Sequence, residues 1–358
     1  MRNEHAMNRK LPLLLTILSL LCGCAREMPV TQPSSWEHVV ASPLNHTLFS
    51  ATFPSAEEGW AVGERGTILR YRAGQWEAVD PAPTDRHLFS VTFPTPQEGW
   101  AVGAWGAFLH YNGKDWQAVE TPQGLETVNL ERVVFTSPDN GWAVGDSAGI
   151  AHYNGHTWRK VEAPIMRLVT ERQEASNTEQ YGLVAEAISE SNFAAEAGYY
   201  HDLAFLSPHN GWIVGNLGQI LHYNGEKWQE VESPTRKHLY SLAYLPSGDG
   251  WAVGQEGTIL HYAGQQEKWT VWPTVPTRRH LLSVVAVSEH EVYAVGQGGI
   301  ILRYDGKEWA EYDSPQVKRM VNFYFVTSQD ASGGLWTFST TRAIFHRKIG
   351  EPTKQSAN

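Results

Sequence analysis

The sequence predicts an all-β protein, a seven-bladed β-propeller, on three observations. Gly-Trp-Ala-Val-Gly or a close variant recurs along most of the chain, with its aromatic anchor at Trp60, Trp100, Trp142, Trp212, Trp251, Tyr293 and Trp336. The intervals are 40, 42, 70, 39, 42 and 43 residues, and a period of about 40–45 with four strands per unit is that of a propeller blade. The segments between Gly, Pro and Asn are short, alternating and rich in Val, Phe, Trp and Tyr, a strand pattern rather than a helical one. Finally, the chain has fifteen tryptophans, and most fall on equivalent places of the repeat.

One unit, 87–122, shows the parsing. HLFSVTF (87–93) reads as strand a, GWAVG (99–103) as strand b, AFLHY (107–111) as strand c and WQAVE (116–120) as the outer strand d. Strand b is almost wholly apolar or Gly, as befits a strand covered on both faces. Asn112-Gly113 between strands c and d suggests a two-residue type I′ turn, and it recurs as Asn154-Gly155, Asn224-Gly225 and Asp305-Gly306. Six tryptophans sit on strand b and six more (Trp76, Trp116, Trp158, Trp228, Trp269 and Trp309) open strand d. Both sets are expected to fill the gaps between blades. Trp105 lies outside the pattern, in a b–c turn, and is a surface candidate.

The ends of the repeat imply how it closes. SWEHVV (35–40) reads as a strand d with nothing before it, and the last unit has strands a (321–326), b (335–339) and c (343–346) but no d tryptophan. The N-terminal strand, with Trp36, is expected to supply the outer strand of the final blade, removing an open edge. The 70-residue interval marks a Glu-rich insertion at 165–200, whose alanine-rich stretches allow a short helix. Insertions of this size are usually functional or disordered.

Residues 1–24 read as a lipoprotein signal. Arg9 and Lys10 precede the apolar run 11–22, which is too short to span a bilayer. Leu21-Cys22-Gly23-Cys24 resembles a lipobox, implying that Cys24 is lipidated; secretion with a free thiol is the alternative. Residues 25–35 would be a tether, 36–350 the propeller and 351–358 a tail. The expected location is the cell envelope, lipid-anchored and facing periplasm or exterior, with Ala25 favouring the outer membrane where there are two.

Net charge of −10 argues against a nucleic-acid binder. Basic residues nevertheless recur just before strand a: Arg86 and His87, then Arg236, Lys237 and His238, then Arg278, Arg279 and His280, then Lys318 and Arg319, with His46 near the matching place in the first blade. They predict a basic arc on the face carrying the d–a loops and b–c turns. Blades 3 and 4 lack it, with TVNL (127–130) and GYYH (198–201) in its place. Two readings are open. The arc, with Trp105, binds an acidic partner segment or small anion; or its cations are solvated and its histidines cap strand starts. Arg70, His110, His152, His222, His261 and Arg303, one per strand c, are spread around the ring rather than convergent, so no metal site and no cofactor is expected.

No nucleophile-elbow, zincin, Walker or Rossmann pattern is present, and the chain is read as not an enzyme. The alternative is a secreted glycan-binding or sialidase-like glycosidase propeller. Its Asp-box hairpin is matched only in Gly113 and Trp116, without the Ser-x-Asp.

The repeat G-W-A-V-G-x-x-G-x-I-L-x-Y-N-G-x-x-W resembles BNR-like β-propellers, most nearly the Ycf48 (Hcf136)-like photosystem II assembly factors, over about 46–350. The resemblance implies seven blades, a membrane-facing location and an arginine-rich patch engaging a membrane-protein partner. The chain differs in its Tyr-Asn-Gly hairpin, where the family often has an Asp-Gly-Gly turn, and in its Glu-rich insertion. The expectation is a monomeric, membrane-tethered scaffold that binds a protein, of which an acidic segment of a membrane protein is one form.

Overall fold

The computed structural model describes residues 37–41, 45–55, 57–164, 198–312, 323–327, 334–339 and 343–347, with backbone alone at 37–41, 324–327 and 343. The signal segment with Cys24, the tether, Trp36, residues 165–197 of the insertion, Lys318, Arg319 and the tail lie outside these residues.

Alternating apolar residues on short segments give the expected all-β architecture, a β-propeller. Six blades are each four consecutive antiparallel strands, at 48–78, 88–118, 130–160, 200–231, 239–271 and 281–311. A further four-stranded sheet is composite. It orders the N-terminal strand Glu37–Ala41, then Ala343–Arg347, Leu335–Ser339 and Phe323–Thr327. Glu37 lies opposite His346 and Ala41 opposite Ala343, so the chain's start is the outer strand of its last sheet. Strand a of the composite sheet lies beside strand a of both blade 6 and blade 1, closing the ring.

The strand-b indole holds each blade to the next. Trp60 lies 5.5 Å from Phe93, 4.9 Å from Tyr111 and 5.6 Å from Trp116, all of blade 2. Trp100, Trp142 and Trp212 meet the equivalent rings of blades 3, 4 and 5. Trp336 does the same across the closure, stacking 5.0 Å from Phe53 and facing Tyr71 and Trp76. Truncating one such ring to alanine costs about 3–5 kcal/mol. Blade 6 has Ala286 where blades 1 to 5 have Phe or Tyr, and Trp272, from beyond strand d of blade 5, fills in at 5.2 Å from Trp251. Tyr293 replaces the indole in blade 6, and the Arg347 guanidinium lies 4.7 Å from its ring centre.

The two glycines of the repeat have separate reasons. A Cβ at Gly99 would land on the Phe93 ring, and one at Gly103 on the His87 carbonyl oxygen. The strand-c residues form local stacks. His110 lies opposite Trp100 in the ladder, 4.4 Å from its ring, and donates to Glu98 at 3.3 Å. His152 and His222 repeat this with Asn140 and Asn210 as acceptors.

Strands a are laced by side chains at their third position. Ser50 Oγ accepts the Val91 N–H of the next blade at 3.3 Å, Ser90 accepts Val133 N–H at 3.2 Å, and Ser241 accepts Val284 N–H at 3.2 Å. Blades 3 and 4 depart from this. Arg132 occupies the position in blade 3, and Asp202 in blade 4 accepts Leu242 N–H at 3.0 Å and the Ser241 hydroxyl at 2.9 Å. Leu203 N–H, facing the arginine, turns to Asp202 itself at 2.9 Å.

The type I′ expectation for the c–d hairpins is corrected. At the Asn-Gly and Asp-Gly pairs only the glycines, such as Gly113 at φ 90°, take positive φ, whereas Ala73-Gly74 in blade 1 takes it at both residues, 48° and 84°. Asn112 instead accepts the N–H groups of Lys114 and Asp115 on its Oδ1, at 3.0 and 2.9 Å. The loop runs on through these two residues to Trp116, so the asparagine serves as an Asx cap rather than a left-handed corner.

Deleting residues 35–41 strips the outer strand from the composite sheet, and melting should show a severe loss of stability; a midpoint within a degree or two of the intact protein would contradict the closure. Ser90→Ala leaves a buried N–H without its acceptor and should cost about 1–3 kcal/mol in a urea titration. Asp202→Ala also strands Arg132, and should cost more, about 3–5 kcal/mol.

Candidate functional site at the mouth of the central channel

The loops that lead into strand a and the b–c turns meet on one face because each turn rests on the loop of the following blade. The turns need left-handed backbone, at Arg65 (φ 53°), Trp105 (54°), Leu217 (56°) and Glu256 (54°). An N–H held in that conformation needs an acceptor from outside its own turn. His87 Nδ1 accepts Arg65 N–H at 3.1 Å, His238 Nδ1 accepts Leu217 N–H at 3.0 Å, and His280 Nδ1 accepts Glu256 N–H at 2.9 Å. Asn129 Oδ1 does this for Trp105 at 3.1 Å. The arc's histidines therefore clasp neighbouring blades together. His46 instead bonds the Thr67 hydroxyl at 2.7 Å.

The arc's cations stand beside these clasps. Arg86, Arg236, Lys237, Arg278 and Arg279 are all exposed. Arg86 donates to the Trp105 carbonyl at 2.6 Å and Arg279 to the Gly298 carbonyl at 3.4 Å. Lys237 lies 3.0 Å from Glu256 and, by hydrogen bonding, holds that carboxyl below its usual range. Arg236 and Arg278 make no hydrogen bond or close ion pair among the described residues. Trp105 is 61 % exposed on the same face.

Inside the arc lies a group of residues that no sequence motif marks. The second and third positions of strand a open into a cavity of about 310 Å³ whose lining includes Phe49, Phe89, Glu131, Arg132, His201, Asp202 and Tyr240. Arg132 Nε lies 3.1 Å from Asp202 Oδ1. Burial pushes the Asp202 carboxyl up, and Arg132 with three hydrogen-bond donors works against that. Tyr199 donates to Glu131 Oε1 at 2.5 Å. Burial raises the Glu131 carboxyl to about 7, against this hydrogen bond and with help from the charge of Asp146. His201 donates through Nε2 to Asn216 Oδ1 at 2.7 Å, and burial lowers it to about 4, so it is neutral at physiological pH. The available signal was the failure of the repeat: Ser50, Ser90, Ser241 and Ser283 align with Arg132 and Asp202, and Phe49, Phe89, Tyr240 and Leu282 with Glu131 and His201.

No protein-family model and no curated protein matches the sequence. Solved structures match over most of the chain. A structure titled YCF48 bound to D1 peptide has a TM-score of 0.67 at 19 % identity, covering 89 % of this chain and 98 % of that one. YCF48 from Cyanidioschyzon merolae has a TM-score of 0.65 at 17 % identity, covering 88 % and 99 %. A streptogramin B lyase structure has a TM-score of 0.66 at 14 % identity, covering 88 % and 97 %. The chain is a β-propeller similar in fold to Ycf48.

Proposed function

We propose that this protein is a non-catalytic β-propeller scaffold that binds a protein partner through the face carrying the channel mouth, in the manner of an assembly or stability factor. The observation that carries the reading is the exposed basic set, Arg86, Arg236, Lys237, Arg278 and Arg279, on one face of a chain of net charge −10. The adjoining turns are clasped to the loops that bear these side chains, so binding costs little backbone ordering. Separated cations raised on fixed loops suit an acidic extended segment, which they attract over a Debye length and then pair with locally. Trp105 adds an exposed ring beside Arg86, the kind of anchor that concentrates binding energy. The Ycf48 structure titled as bound to a D1 peptide supports the reading, since a propeller of this fold there carries a polypeptide segment. The lyase among the neighbours is a reminder that fold alone does not decide catalysis.

Lipidation at Cys24 would hold the propeller at an envelope membrane on a short tether, bringing this face within reach of a membrane-protein partner. Lys318 and Arg319 would extend the arc beyond blade 6.

Crosslinking and pulldown from membranes should recover a partner with the wild type and lose it when Arg86, Arg236, Arg278 and Arg279 are all changed to Glu. Undiminished capture by that variant would remove the proposal, and hits on a glycan array or turnover of fluorogenic glycosides would favour the glycan reading. Cys24→Ser should move the protein from the membrane to the soluble fraction without altering its melting point.

A further inference from the structure

We propose that the cavity inside the arc is a socket for an organic cation, an alkylammonium head group held by Glu131 between two sets of aromatic rings. The rings flank the carboxylate around the mouth. On one side Phe49 and Phe89 lie 5.6 Å apart with His87 beside them. On the other, Tyr199 and His201 lie 4.7 Å apart, and Tyr240 meets His201 at 5.1 Å. Blade order places Glu131 between Phe89 and His201. Ring faces are electronegative and attract a desolvated cation.

The charges of the lining favour the same ligand. Arg132 is engaged with Asp202, and His201 is neutral. Asp146, which bonds Asn129 through both oxygens, adds negative potential. Glu131 has one hydrogen bond, from the neutral Tyr199 hydroxyl, and its second oxygen has no protein partner among the described residues. When Glu131 ionises, the lining therefore carries one negative charge without a counterion. A cavity of about 310 Å³ suits a head group and a short stem, not a folded domain.

With the carboxyl raised to about 7 by burial, proton and cation compete for it. Protonation relieves the charge when nothing else does, and a bound cation would displace that proton. The cation pairs with the ionised form, so affinity should rise with pH through 7 and fall below it. Alkylamines stay protonated throughout this range.

The test uses the full-length protein with n-pentylammonium, Nα-acetyl-lysine amide and the neutral n-pentanol, by calorimetry in two buffers of different ionisation enthalpy. At least one cation should bind at pH 7.5, release protons from Glu131 near pH 6.5, and bind about 25-fold more weakly at pH 5.5, from the ionised fractions alone. Pentanol should not bind. Binding of the lysine amide points to a side chain of a polypeptide, and binding of pentylammonium alone to a free amine. Glu131→Gln should abolish binding while keeping its fold by circular dichroism. Should that variant misfold, Tyr240→Leu, which keeps the carboxylate, should weaken binding by about 2- to 30-fold. Equal binding of pentanol, undiminished affinity in the variant that folds, or failure of both cations to bind the wild type would overturn the proposal. The arc charge-reversal variant, changed only on the exposed loops, should still bind the cation, which separates this site from partner capture.

Discussion

Between most consecutive blades, a strand-b ring lies against rings of strands a, c and d in the next sheet, and this wedge is what the closed ring of blades rests on. A blade is thin and buries little within itself. Its apolar faces become a core only when the neighbour's aromatic residues meet them. Hence each hydrophobic cluster spans two sheets: Trp60 with Val91, Tyr111 and Trp116, and Trp336 with Leu48 and Trp76. The contact has to be satisfied all the way round. That is why the chain's first strand completes its last sheet, and why Trp272 swings in where Ala286 leaves a gap.

Nearer the axis the constraint changes from packing to polarity. Strands a crowd together, and their N–H groups need acceptors across the seam. Serine answers this with least bulk. Arg132 breaks the series, and Asp202 restores it by serving its own blade and the next while pairing the arginine. The cost of burying this pair is met by several hydrogen bonds to one carboxylate. One sector of the channel mouth thus acquires charge, a neutral histidine and an easily protonated glutamic acid, while the other described sectors stay apolar or hydroxylic.

The same economy bears on the outer arc. Its histidines act as acceptors for left-handed turns, so their recurrence follows from the recurrence of those turns. The lysine and arginines beside them have no such structural duty, apart from Arg86, Arg279 and Lys237 touching adjacent turns. Scaffold and recognition are interleaved there, with imidazoles fixing the loops from which the cations project.

The repeat was legible in the sequence because a blade needs the same rings at the same spacing each time. Period, strand order, glycine positions and the unfinished last unit all follow from that need, and so does closure by the N-terminal strand. The break of pattern at blades 3 and 4 is visible too, as TVNL and GYYH in place of basic loops, and along the chain it marks only a gap in the arc. What filled it was decided only in three dimensions. Glu131, Arg132, Tyr199, His201 and Asp202 lie up to 71 residues apart and look unrelated along the chain. They become one site because strands a converge on the axis, where low polarity and mutual contact set their ionisation. Likewise the side chain of Asn112 caps its hairpin, beside a backbone bond from its N–H to the Asp115 carbonyl at 3.3 Å, since two extra loop residues give it N–H groups to cap. Local spacing dictates the repeated contacts; the unrepeated ones depend on which blades the closed ring makes neighbours.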